Sequence, residues 1–172
     1  MAIRDIIKYP SKVLKVKAKP VSVVGDEEKA LIKDMWDTMY FTKGIGLAAP
    51  QIGVSKRIAV INVTGDKKDE LVVINPEIVK RSGRCDIEEG CLSVAGVNAH
   101  IDRYKNITLK YLDISGQVRK LQASDILAIV IQHELDHLNG MLFIDRINSL
   151  KRKLLMWRSK VGVKSSQRRR KI

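Results

Sequence analysis

The sequence predicts an α+β fold: largely antiparallel strands around a central buried helix, with a further helix at the C-terminus. Three observations carry this. Short strand-like runs follow one another, and two of them are joined by Ser115-Gly116, the signature of a hairpin rather than of a parallel crossover. Residues 126–131 are apolar on every side, which a helix tolerates only when it is buried. Helical spacing returns after Asn148, with Leu150, Leu154, Trp157 and Val161 on one face.

Each element has a local reason. Pro10-Ser11 opens a short helical turn, and Pro20 closes an extended entry segment. Asp26-Glu27-Glu28 supplies an acidic first turn for a helix over 26–42, with Ile32, Met35 and Met39 at helical spacing beside Trp36 as core. Lys43-Gly44 ends it, and a glycine-rich loop follows. Strands are expected at 57–63, 71–75, 77–81, 106–114 and 117–122. Ser124 or Asp125 caps the buried helix, which stops at Asn139-Gly140, and Asn148 caps the last one.

At 172 residues the chain is one domain's worth, with an ordinary 45% hydrophobic content and no internal repeat. No apolar run reaches the roughly 20 residues of a membrane span, and residues 1–8 lack the apolar core of a signal peptide. A cytoplasmic location and no membrane partner are therefore expected. Of the two cysteines, neither is expected in a disulfide in that reducing compartment. The net charge of +13 is concentrated: residues 151–172 hold ten Lys/Arg and no acid, leaving 22 basic against 19 acidic residues, or +3, in 1–150. The expected organisation is a catalytic domain over 1–150 and a basic helix and tail over 151–172.

The run Gln132-His133-Glu134-Leu135-Asp136-His137 carries the chemistry. On a helix it puts two imidazoles one turn apart on one face, able to grip one divalent ion, with a glutamate beside the open coordination position. Left without a metal, three polar groups on a buried helix would be costly. The chain reads as a metallohydrolase. In many zinc proteases of this pattern a third histidine lies downstream, but Phe143 stands there and neither His nor Glu follows His137. Upstream the candidates are Cys85, Cys91, His100 and carboxylates. Cys91 follows Gly90, whose backbone freedom can present a thiolate. Cys85 reads as a small buried hydrophobe and His100 as a surface residue in a polar loop.

Three segments together, Gly44-Ile45-Gly46-Leu47-Ala48-Ala49-Pro50-Gln51, Glu89-Gly90-Cys91-Leu92-Ser93 and Gln132 to His137, resemble the defining motifs of the peptide deformylases in order and spacing. The opening from Ile3-Arg4 to Leu14 is similar as well, so the resemblance spans about residues 3–150. It implies removal of the formyl group from the initiator methionine of nascent polypeptides. Cys91, His133 and His137 would hold the metal, Fe(II) by resemblance, with Zn, Ni or Co able to substitute. Glu134 would be the general acid/base, with the Gln51 side chain and the Leu92 backbone N–H as oxyanion donors. Gly44 and Gly46 would let the backbone approach an extended peptide, and Ile45, Ile87, Ile126, Ile129 and Val130 would line the methionine pocket. Two positions depart from the family: Ala95 stands where proline is common, and Asn98 where arginine is frequent. The basic tail is expected to meet ribosomal RNA near the nascent-chain exit. Two other readings are weaker. A zinc endopeptidase lacks its downstream ligand, and a nucleic-acid-binding module with a structural metal lacks a fourth.

Overall fold

Helix α1 (Asp26–Phe41) buries Leu31, Ile32, Met35 and Met39, and its N3 residue Glu28 reaches back to accept the Gly25 N–H at 2.9 Å. The structure, a computed structural model, describes residues 2–157. Five strands form one antiparallel sheet: β1 (Gly46–Ala48), β2 (Ile58–Ile61), β3 (Leu71–Ser82), β6 (Asn106–Leu112) and β7 (Val118–Ser124), in the order β1-β2-β3-β6-β7. The remaining two, β4 (Cys85–Cys91) and β5 (Val94–Arg103), pair as a separate antiparallel ribbon.

Strand β2 is buried along its whole length because it is covered on both faces. Ile58 and Val60 pack with Met35 and Met39 of α1, whereas Ala59 and Ile61 pack with Ala128, Ile131 and Leu135 of α2 (Asp125–Leu138). Fully burying a side chain such as Met39 contributes about 1.5–3 kcal/mol. A third cluster joins Val97, Ala99 and Ile101 of β5 to Leu14 and to the turn at Leu142–Ile144. Helix α2 thus has an apolar face on the large sheet, while its polar residues meet the ribbon.

Several expectations need correcting. The two runs expected at 71–75 and 77–81 are one strand, β3, with an irregularity where Pro76 cannot donate and Asn75 turns to φ 51°. That turn is held by Asn75, which accepts the Val21 N–H and donates to the Val21 carbonyl. His100, read as a surface residue in a polar loop, is at the surface but stands on strand β5, on its exposed side beside Asp86. Cys85 is half-buried at the start of β4 rather than fully enclosed. Ile126, on the helix predicted to be buried all round, is 46% exposed at the mouth of a cleft. Asn148 does cap the final helical segment, residues 149–157, accepting the Lys151 N–H. Its predicted inner face is rotated, however: Leu150, Leu154 and Trp157 are exposed, and Leu155 and Met156 pack on the third cluster. Val161 of that expected face lies outside the described residues.

Candidate metal centre and cleft

Cys91 ends β4, while His133 and His137 stand one turn apart on α2. One ligand atom from each lies within 4.8 Å of the other two, and Cys91 Sγ is 3.2 Å from His137 Nε2. Bonds of about 2.0–2.3 Å could close such a triangle around one ion. The Cys91 sulfur also accepts the Ser93 backbone N–H at 3.4 Å. Burial holds the His137 imidazole well below its usual range, hence neutral and able to ligate. At His133 burial works the same way, but Cys91 and Glu89 outweigh it and raise the ring to about 10. The donor set of one thiolate and two imidazoles fits a first-row metal.

Behind the histidines runs a buried ionic relay that no motif announces. His133 Nδ1 is 2.9 Å from Glu89 Oε2. Arg103, only 1% exposed, donates through Nε and Nη2 to Glu89 at 2.5 and 2.8 Å and through Nη1 to Asp136 at 2.7 Å. Asp136 in turn receives both arms of Arg146, each at 2.5 Å. Burial alone would raise the Glu89 carboxyl, yet the contacts with Arg103 and His133 hold it down at about 2. An acceptor of this kind fixes the orientation of a metal-bound imidazole.

Glu134 follows His133 on α2 and makes none of the relay's hydrogen bonds. Burial pushes its carboxyl up to about 7, with the His133 charge opposing and those of Glu89 and Asp136 assisting, and Oε2 has no hydrogen-bond partner. The side chain reaches the sheet edge because Gly46 makes room: a Cβ there would stand 2.4 Å from Glu134 Oε1. Gln51, 2% exposed, is anchored by accepting the Ala48 N–H at 2.8 Å and aims its Nε2 toward Cys91 Sγ at 3.8 Å.

These groups open onto a cleft of about 600 Å³. Its lining brings together Gly44, Ile45, Gly46, Gln51, Ile87, Cys91, Leu92, Ile126, Ile129, Val130, His133 and Glu134. His137 lies behind them, 1% exposed. One wall includes Gly46 of edge strand β1 and the other residues 87–91 of β4, which pairs only with β5 among the described strands. Ala95 lies on the rim, and Asn98 packs its Oδ1 2.7 Å from where a Gly90 Cβ would be. Sequence reasoning missed Glu89, Arg103, Asp136 and Arg146. The signal for two of them was present in Glu89, close to Cys91, and Asp136, between the histidines, but their partners could not be read from spacing.

The family model described as polypeptide deformylase matches residues 3–153. A peptide deformylase of Nitrosococcus oceani is 51% identical over 152 residues, covering 88% of this chain and 91% of the relative. Among solved structures, a peptide deformylase from Legionella pneumophila superposes with a TM-score of 0.90 at 45% identity, covering 98% of this chain and 99% of that one. A Met-Ala-Ser-bound class I type b peptide deformylase from Acinetobacter baumannii gives 0.80 at 33% identity, over 85% of this chain and 99% of that one.

Proposed function

This chain belongs to the polypeptide deformylase family, which makes it a hydrolase, and on that premise we propose that it removes the N-formyl group from the initiator methionine of nascent polypeptides, releasing formate. The observation that carries the reading is the meeting of Cys91, His133 and His137 beside a buried, unpartnered Glu134 oxygen in a cleft with peptide-like edges.

The formyl-methionyl chain lies extended between β1 and β4, adding a strand to the exposed edges. The Met-Ala-Ser bound by the Acinetobacter baumannii relative supports a short peptide beginning with methionine as the ligand. Ile45, Ile87, Ile126, Ile129 and Val130 surround the methionine side chain, whose burial contributes about 1.5–3 kcal/mol. Gly44 and Gly46 allow the close backbone approach.

Cys91, His133 and His137 would hold one divalent ion, Fe(II) by preference with Zn, Ni or Co as substitutes, and when bound it would supply carbonyl polarisation and lower the pKa of a water nucleophile. Glu134 takes the proton of the attacking water as its oxygen bonds to the formyl carbon. The Gln51 amide and the Leu92 N–H stabilise the developing oxyanion, each such donor being worth about 3 kcal/mol. Glu134 then delivers the proton to the departing nitrogen as the C–N bond breaks, leaving formate and a free amine.

The deciding assay is formate release from formyl-Met-Ala-Ser by anaerobically purified protein. Rapid release is expected. Absence of release by metal-loaded protein overturns the reading, and cleavage of unformylated peptides would restore the endopeptidase instead.

The catalytic domain comprises residues 1–150, and the basic segment beyond it docks on ribosomal RNA in the cytoplasm. What supports this is its charge: residues 158–172 alone hold seven Lys/Arg and no acid. Because Leu155 and Met156 pack on the core, the clean truncation falls after Trp157. Removing 158–172 is expected to weaken ribosome binding and flatten its salt dependence by about 0.7–0.9 in log–log slope for each phosphate no longer neutralised, with turnover of a short formyl peptide unchanged. Unaltered ribosome affinity at moderate salt rejects the tail as the docking element.

A further inference from the structure

Glu89 and Asp136 are two carboxylates with side chains only 6% and 5% exposed, and a single buried guanidinium, Arg103, is shared between them. Arg103 spends two of its three hydrogen bonds on Glu89 and one on Asp136. With His133 neutral as a metal ligand, one buried negative charge is therefore left over. Arg146 supplies the missing cation, as a two-armed fork on both oxygens of Asp136. Its own side chain is 37% exposed, so it enters the relay from the surface. It lies outside all three sequence motifs, after the 3-10 turn Phe143–Asp145.

We propose that Arg146 is a positioning residue for the metal ligand His133, acting through Asp136, Arg103 and Glu89. The proposal rests on reading Cys91, His133 and His137 as metal ligands. With Arg146 in place, Asp136 is satisfied and Arg103 can commit its Nε and Nη2 to Glu89, which then holds His133 Nδ1. Without it, Asp136 competes for Arg103, the guanidinium is drawn away from Glu89, and the imidazole loses its fixed orientation. Metal affinity is sensitive to such support, typically by 10–100-fold.

The same segment contains an internal control. Arg152 pairs with Asp145, next to Arg146, and Asp145 also pairs with Lys15; neither contact touches Asp136. Disturbing that pair loosens the segment without changing the charge on the relay.

The test follows Co(II) release into a chelator from the full-length protein, read by loss of the thiolate-to-cobalt absorbance, with thermal unfolding of the metal-free forms alongside. Arg146→Ala is expected to release Co(II) about tenfold faster than the wild type, near the lower end of that range, and to lower the unfolding midpoint of the metal-free form because the buried Asp136 loses a cation. Arg146→Lys should fall between them, since an ammonium restores charge but not the fork. Arg152→Ala should match the wild type, and Arg146→Ala should add nothing in an Asp136→Asn background. Equal release from Arg146→Ala and wild type overturns the proposal, as does equal acceleration by Arg152→Ala or full additivity with Asp136→Asn. A wild-type protein that takes up no Co(II) overturns the metal-site reading and this proposal with it.

Discussion

Glu134→Ala is expected to keep its full complement of metal while losing about 10²–10⁴-fold in turnover of a formyl peptide. The glutamate is assigned to proton transfer, and the ligand atoms that converge belong to Cys91, His133 and His137. The fold should not suffer. Glu134 Oε2 is buried without a partner, a standing cost that the substitution removes, so the thermal midpoint should hold or rise. Glu134→Gln should lose activity similarly, because the amide keeps the shape but cannot accept the proton. Metal analysis of the purified variant decides the matter: if the metal leaves with the side chain, Glu134 is a ligand and the assignment of roles is wrong.

Cys91→Ser or His133→Ala should abolish metal retention and activity together, whereas Cys85→Ser should leave both near wild type. Both cysteines lie on β4, at opposite ends of the strand. Cys91 Sγ stands against His137 Nε2, while Cys85 Sγ has only the Arg103 carbonyl at 3.7 Å. A serine hydroxyl is a poor substitute for a thiolate because it stays protonated near neutral pH. Measured metal content should separate the two substitutions outright, and comparable depletion in both would remove Cys91 from its assigned place.

Much of the architecture was legible where one element's pattern decides its environment. The spacing of Ile32, Met35 and Met39 marks α1, and Ser115-Gly116 marks the β6–β7 hairpin. Legibility failed where an element's inward face is polar. Strand β5 alternates regularly, with Val97, Ala99, Ile101 and Arg103 inside, but a buried arginine ends the series and Asn98, His100 and Asp102 dominate its appearance. Arg103 becomes an interior residue only through Glu89 and Asp136, which lie on other elements. Such burial is a property of the trio and has no signature in any single stretch. The final helical segment failed differently: Leu155 and Met156, not Leu150 and Leu154, meet the third cluster, and with apolar residues on both sides the sequence does not say which side docks. In the site, Gly44 to Gly46, Gln51, Cys91, Leu92, His133 and Glu134 could be named from local motifs and the apolar lining from family resemblance, whereas the relay behind His133 had to be seen.

The scatter of the metal centre along the chain has a consequence for how the protein is made. Cys91 precedes His133 by 42 residues, and β4 reaches α2 only across β5, β6 and β7. At a synthesis rate of about 5–20 residues per second, the thiol therefore emerges roughly 2–8 seconds before the first histidine proposed to share its ion. During that interval it is an ordinary reactive cysteine, open to oxidants. No ion can be captured in the finished geometry until α2 is complete. An enzyme whose proposed substrates are unfinished chains is thus itself, while unfinished, unable to act on its own first residue.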